Sequence, residues 1–297
     1  MKLFAFDTKE SLMLNIHSFK ESFFAFLFVV CAVVSIIALG LICLFLFINA
    51  IPTAYQIGFY DFIFGLEWYP TEEIFGIFPM IIGSLQVTAL AILIGVPIGV
   101  LSAIYLSQFC PKKYKAFILP SIELLAAIPS VVYGFFGLVV LVPFLAELFH
   151  GISGKSILAA SLVLSIMILP TIILVSKAAL DSVPNSYLEG ALSLGANKES
   201  GVFFAVLPAA KGGILAAVIL GVGRAIGEAM AVIMVAGNQV QIPDSVLDGI
   251  RTLTTNIVLE MGYAEGLHRD VLIANAAVLF VFILILNLSF NLLYKEK

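Results

Sequence analysis

The stretch Ala209-Ala-Lys-Gly-Gly-Ile-Leu-Ala-Ala-Val-Ile-Leu-Gly-Val-Gly-Arg224-Ala-Ile-Gly-Glu228-Ala-Met-Ala-Val-Ile-Met-Val-Ala-Gly237 is long enough to cross a bilayer, yet it carries an arginine and a glutamate near its middle. A guanidinium at the centre of a membrane helix costs roughly 2.5–3.5 kcal/mol on insertion scales, so it needs a polar cavity or a partner. Four residues turn a helix by about 40°, so a continuous helix points Arg224 and Glu228 the same way, one turn apart. Buried charge of this kind marks either a pathway for a polar solute or a structural ion pair.

Composition sets the class. Of 297 residues, 62% are hydrophobic and only 11% charged, with mean hydropathy +1.14. Soluble domains run about 25% charged, so a soluble fold is excluded. The formal net charge of −4 says little as a global figure. Cys31, Cys43 and Cys110 show no disulfide or metal spacing and read as small buried hydrophobes. Residues 1–22 are mostly polar, and the apolar run behind them is too long for a signal peptide, so it is expected to be an uncleaved span.

Six apolar segments are long enough to span, near residues 23–50, 78–106, 117–149, 157–179, 209–237 and 271–293. The expected fold is an all-α integral membrane protein with six transmembrane helices. It divides into a segment 1–22 and a transmembrane domain 23–297. Pro129, Gly134, Gly137 and Pro143 make the third span kinked or divided. Basic residues alternate between loops. Lys2, Lys9, Lys20, Lys112, Lys113, Lys115, Lys177, Lys198, Lys211, Lys295 and Lys297 fall on one side, and only Lys155, Arg251 and Arg269 on the other. The positive-inside rule then puts both termini in the cytoplasm. In the external connection 238–270, Val246, Ile250, Leu253, Ile257 and Met261 have the spacing of one helix face. That helix is expected either as a lip at the outer mouth or as a seal of the bundle.

The cytoplasmic loop 181–208 reads as two short helices. Pro184 suits a first turn, Ser186 and Glu189 have capping-box spacing, and Gly195 can take the left-handed conformation that ends a helix. Tyr187, Leu188, Ala191, Leu192 and Leu194 supply an apolar face; basic residues are too sparse there for a lipid-surface helix. Glu189-Gly190-Ala191, then Gly195, then Leu207-Pro208 resembles the EAA loop of binding-protein-dependent ABC importer permeases, with Gly190 and Ala205 departing from the usual pattern. The resemblance implies a type I importer permease fold and a coupling helix that docks on a cytoplasmic ATPase.

Arg224 lies about 22 Å along its span, near the midplane. Gly221, Gly223 and Gly227 flank it, leaving room either for a neighbouring helix or for a solute. A planar fork of donors suits a tetrahedral oxyanion. A carboxylate beside it accepts a hydrogen bond only from a protonated one, which fits phosphate better than sulfate. Ser84, Thr88, Ser130 and Tyr133 are weaker pathway candidates, since membrane hydroxyls usually bond their own backbone. Glu123 reads as a helix-end or gate residue.

The run Gly221 to Asn238, together with Ile128-Pro-Ser-Val-Val-Tyr-Gly134 and Thr252-Leu-Thr-Thr-Asn-Ile-Val-Leu-Glu-Met261, is similar to phosphate importer permeases of the PstC type. The resemblance implies a phosphate path through Arg224 and Glu228. It also implies a second, non-identical A-type permease, a cytoplasmic ATPase dimer and an extracytoplasmic phosphate-binding protein as partners, in a prokaryotic inner or plasma membrane.

Other signals carry nothing. Gly154-Lys155-Ser156 lacks the earlier glycine of a P-loop, Gly221-Val-Gly223 has no βαβ context, and His17, His150 and His268 form no metal spacing. No catalytic constellation, cofactor or nucleic-acid site is read; ATP hydrolysis is expected on another subunit. The alternatives are a permease for molybdate or sulfate, a proton-coupled carrier using Glu228, and a membrane subunit in which the pair only holds helices.

Overall fold

A GxxxG spacing, Gly95 to Gly99, sets a close contact between helices in the bundle. A Cβ on Gly95 would lie 2.9 Å from Ile168 Cδ1, and one on Gly99 would lie 2.7 Å from Ile172 Cγ2. Without a hydrophobic force between helices in lipid, such close backbone approach is what binds them. The computed structural model describes the backbone of residues 4–150 and 153–295, and the side chains of residues 23–150 and 153–289. Lys2 and Lys297, and the side chains of Lys9, His17, Lys20 and Lys295, lie outside the described residues.

In chain order the helices are α1 (Phe4–Ile57), α2 (Phe59–Phe64), α3 (Phe78–Ile104), α4 (Lys112–Ala127), α5 (Ser130–Phe136), α6 (Val142–Leu148) and α7 (Ile157–Asp181). They continue as α8 (Ser186–Ser193), α9 (Lys198–Gly201), α10 (Leu207–Ala209), α11 (Lys211–Gly227), α12 (Met230–Val235), α13 (Leu253–Glu260) and α14 (Gly266–Lys295). A two-stranded antiparallel ribbon, Trp68–Tyr69 against Ile74–Phe75, lies between α2 and α3. Among the described residues five helical segments are long and apolar enough to span, or six when the bent pair ending in α11 is counted as one.

The third apolar segment is divided, as expected, but further than a kink. Pro129 ends α4 and caps α5, and the spanning part is only Ser130–Leu148, carried through a π-helical turn at Gly137–Leu141. The fifth span is bent by 70° between the segment Lys198–Ala209 and α11. The sixth begins at Gly266, earlier than its apolar run, because polar residues extend the helix past the hydrocarbon.

The α3–α7 pair is the spine, and α11 packs on α7 and α14. One apolar cluster joins α3, α7, α5 and α12 around Val87, Leu164, Ile168 and Val235. A second gathers Phe62, Trp68, Phe75, Met80, Leu253 and Val271 at the α13 end. A third joins Ile104, Leu180, Val202 and Val206 at the α8 end.

The helix between the fifth and sixth spans is shorter than its apolar spacing predicts. Only Leu253–Glu260 is helical, started by a capping box of Thr252 and Thr255. Val246 and Ile250 lie before it, in a loop whose Val246 and Asp248 carbonyls accept the Leu158 and Ile157 amides. That loop satisfies orphan donors at the start of α7, a need that outweighs helical periodicity. Leu253, Thr255 and Asn256 of α13 are fully buried, so the helix seals the bundle.

Candidate translocation site

Helix α11 ends at Gly227. Glu228 is extended (φ −76°, ψ 124°), and a new helix starts at Met230. The continuous turn that would align Arg224 with Glu228 therefore does not form, and among the described residues no ion pair joins them. Glu228 instead turns to the next helix. Its Oε1 accepts the Ala231 amide at 3.1 Å, and its backbone carbonyl accepts the Thr254 hydroxyl at 3.1 Å. The carboxylate thereby caps α12, where orphan amides and the positive end of the helix dipole favour a negative charge.

Arg224 is half-buried, and its Nη1 donates to the Thr171 hydroxyl on α7 at 3.2 Å. The guanidinium opens on a cleft lined by Ile219, Leu220, Gly223 and, from α14, Asn287. The glycines around it divide by role. A Cβ on Gly221 would lie 3.0 Å from Ile172, so Gly221 lets α11 approach α7. At Gly223 and Gly227 a Cβ would meet nothing within 4 Å. Both face open space in this chain, and Gly223 lines the cleft with Arg224.

Of the remaining pathway candidates, Tyr133 lies within electrostatic range of Arg224. Ser84 Oγ donates to the Met80 carbonyl at 2.8 Å and accepts the Leu253 amide at 2.9 Å, tying α13 to α3. Thr88 is buried on the same helix. Tyr133 donates to the Leu125 carbonyl at 2.8 Å, a staple across the Pro129 break, and Ser130 opens α5 beside it. None of the four lines the Arg224 cleft. Glu123 is exposed on α4.

Sequence reading missed two things here. Thr171 follows Pro170 inside a span and Asn287 sits in another, and a survey of every polar residue in the apolar runs would have raised both. The other is a buried cluster at the α13 end. Glu260, 7% exposed, takes Arg251 Nη1 at 2.5 Å, Trp68 Nε1 at 2.9 Å and His268 Nε2 at 2.8 Å, and Arg251 also reaches the Asn256 side chain at 3.0 Å. It ties the ribbon, α13 and α14 together; Arg251, Asn256, Glu260 and His268 are close in sequence, and Trp68 joins them from 192 residues away.

At the opposite end, α8 stands out from the bundle. Ser186 is its first residue and Asn185 its N-cap, with no side-chain cap, so the Ser186–Glu189 capping box does not form and Pro184 lies outside the helix. The C-terminus follows expectation. Gly195 takes φ +88°, its amide bonds the Leu192 carbonyl at 3.0 Å, and the Ala196 amide bonds the Ala191 carbonyl at 3.2 Å, a Schellman motif. Leu188 packs toward Gly201 of α9, whereas Tyr187, Glu189, Gly190, Leu192 and Leu194 are exposed. Asn197 caps α9 by accepting the Ser200 amide at 2.8 Å, and a π-helical turn, Val202–Val206, leads to Leu207-Pro208. The segment then bends by 70° into α11. α8 is thus joined to the helix of Arg224 through packed helix and one bend.

The family model described as "Binding-protein-dependent transport system inner membrane component" matches residues 95–295, a range that holds α8, Arg224 and Asn287. The chain belongs to that family. It is 43% identical over 237 residues to the probable ABC transporter permease protein YqgH of Bacillus subtilis (strain 168), covering 78% of this chain and 77% of that protein. It is 35% identical over 270 residues to the phosphate transport system permease protein PstC of Mesorhizobium japonicum, covering 84% and 82%. Among solved structures, the MetNI methionine ABC transporter in an inward-facing conformation has a TM-score of 0.59 at 17% identity, with 77% of this chain and 99% of that chain covered. A bacterial ABC transporter for alginate import gives 0.56 at 18%, covering 73% and 78%. These structures establish the ABC importer permease fold for this family member, as its EAA-like loop implies.

Proposed function

We propose that this chain is the permease subunit of an ATP-driven phosphate importer and forms half of the phosphate path. The observation that carries the reading is Arg224: a half-buried guanidinium on a membrane-spanning helix, held by Thr171 and opening on a cleft with no carboxylate paired to it among the described residues. A fixed positive charge in a low-dielectric cleft with a free donor edge binds an oxyanion strongly. PstC relatives at 33–35% identity over about four fifths of the chain supply the identity of that oxyanion.

The cleft is open along one side, so a second, non-identical permease would close it. A pair of cytoplasmic ATPases would seat on α8 at Tyr187, Glu189, Gly190 and Ala191, and an external phosphate-binding protein would deliver the substrate. ATP-driven closure of the ATPases would move α8, swing the segment Lys198–Ala209 about the bend, and open the Arg224 cleft alternately to either side. Hydrolysis belongs to the ATPases, and both termini of this chain lie in the cytoplasm. Family membership favours this reading over a proton-coupled carrier.

Uptake of labelled phosphate in cells carrying Arg224→Gln, with the membrane level of the protein measured in parallel, tests the reading. Uptake should be lost at normal abundance. Normal uptake would overturn the proposed path, and lost abundance would show instead that Arg224 only holds helices.

A further inference from the structure

We infer that Asn287, and not Glu228, supplies the hydrogen-bond acceptor that meets a protonated oxyanion beside Arg224. The inference rests on the phosphate-path reading and deepens it. The carboxylate expected to play this part is turned away, capping α12 through the Ala231 amide, beyond the end of the helix that carries Arg224. The polar side chain that shares a cleft with Arg224 comes from α14.

Three observations meet at this residue. Asn287 lies in a span whose mean hydropathy is 2.7, where an amide facing lipid is strongly disfavoured. Among the described residues no hydrogen bond engages it, although Ser289, two positions on, is satisfied by the Ile285 carbonyl at 2.7 Å. Its neighbour across the cleft is Gly223, where a Cβ would meet nothing within 4 Å, so the space in front of the amide is open. An exposed, unbonded amide in an apolar helix is best placed where water and a polar solute pass.

The chemistry fits the cargo. A carboxamide offers an acceptor oxygen and two donor hydrogens without net charge. It can accept the P–OH hydrogen of mono- or dihydrogen phosphate and donate to a P–O⁻ oxygen, and it does not repel the anion as a carboxylate would. Arg224 supplies the charge; Asn287 reads the proton. Along the helices, Arg224 lies about 20 Å from the start of α11 and Asn287 about 12 Å from the end of α14, at 1.5 Å per residue. The two residues line one cleft, Arg224 from the last turn of α11 and Asn287 from the C-terminal half of α14.

The test uses the assembled importer in cells and in inside-out vesicles. Asn287→Leu should raise the KM for phosphate about tenfold or more at unchanged membrane abundance, and Asn287→Ser, which keeps a donor and an acceptor, should recover part of it. Asn287→Asp should lower uptake at neutral pH by repelling the anion. In a variant with Cys31, Cys43 and Cys110 replaced by Ala, Asn287→Cys should react with a charged, membrane-impermeant thiol reagent and be protected by inorganic phosphate. If the Asn287→Cys protein transports but its new thiol does not react, the side chain lies in lipid and the inference is overturned. A normal KM in Asn287→Leu while Arg224→Gln abolishes uptake overturns it too. If Arg224→Gln also transports normally, the phosphate path itself is wrong.

Discussion

The Glu228 carboxylate accepts the Ala231 amide at 3.1 Å, one helix beyond Arg224. The two charges that share a sequence motif thus have separate duties: Arg224 faces the cleft from the last turn of α11, and Glu228 starts α12. A cap of this kind contributes about 1 kcal/mol. Glutamine keeps an acceptor oxygen at that position and alanine does not. Glu228→Gln should therefore retain most phosphate uptake and thermal stability, while Glu228→Ala should lower both. Uptake normalised to membrane abundance, with melting in detergent, distinguishes them; a Gln variant as inactive as Arg224→Gln would put Glu228 on the substrate instead.

The glycines beside Arg224 give a sharper contrast. A Cβ on Gly221 would lie 3.0 Å from the Ile172 side chain, so anything larger must displace it, whereas Gly223 faces open space. Gly221→Leu should drive α11 off α7 and reduce the amount of folded protein, overpacking typically costing about 1–3 kcal/mol. Gly223→Leu should leave abundance near normal and block transport by filling the cleft. Equal abundance and equal transport in the two variants would contradict this division of roles.

How much of this the sequence carries depends on the range of the interaction. The spans, the division at Pro129 and the Gly195 stop are local, set by hydrophobic length, proline and backbone conformation, and all are legible in the chain. The break after Gly227 is not, because the apolar run continues across it and nothing at Glu228 forbids a helix. The tertiary bond at the break is that of the Thr254 hydroxyl to the Glu228 carbonyl, and the carboxylate then caps the Ala231 amide three residues on. Likewise Val246 and Ile250 keep helical spacing, but the Val246 carbonyl serves the start of α7 and the Ile250 amide bonds the Ala236 carbonyl at the end of α12. Asn287 and Thr171 gain meaning only once packing sets them beside Arg224.

The loop that carries α8, proposed to dock the ATPase, offers a test that leaves the Arg224 cleft untouched. Gly195 holds φ +88° in open surroundings, so a substitution there meets backbone strain and no clash. A β-branched residue in the left-handed region costs roughly 1–2 kcal/mol. Gly195→Val should unwind the end of α8, reduce co-purification of the ATPase and lower uptake, with the spans still inserted. Gly195→Asn, which tolerates that conformation, should retain most activity. Full ATPase co-purification by the Val variant would argue that the end of α8 takes no part in docking.

Glu260 anchors the other end of the molecule, and its environment predicts a large effect. The carboxylate is 7% exposed and holds Arg251, Trp68 and His268 at once. Removing one member of a buried pair strands the other charge, typically at about 3–5 kcal/mol, whereas replacing both with apolar groups is often close to neutral. Glu260→Gln should therefore lower the melting temperature of the purified protein well below that of wild type. The double variant Arg251→Met with Glu260→Leu should recover much of the loss, although Trp68 and His268 then lose an acceptor. A double-mutant cycle measures the coupling directly. If Glu260→Gln melts as wild type does, the cluster is not what ties the ribbon, α13 and α14 into one unit.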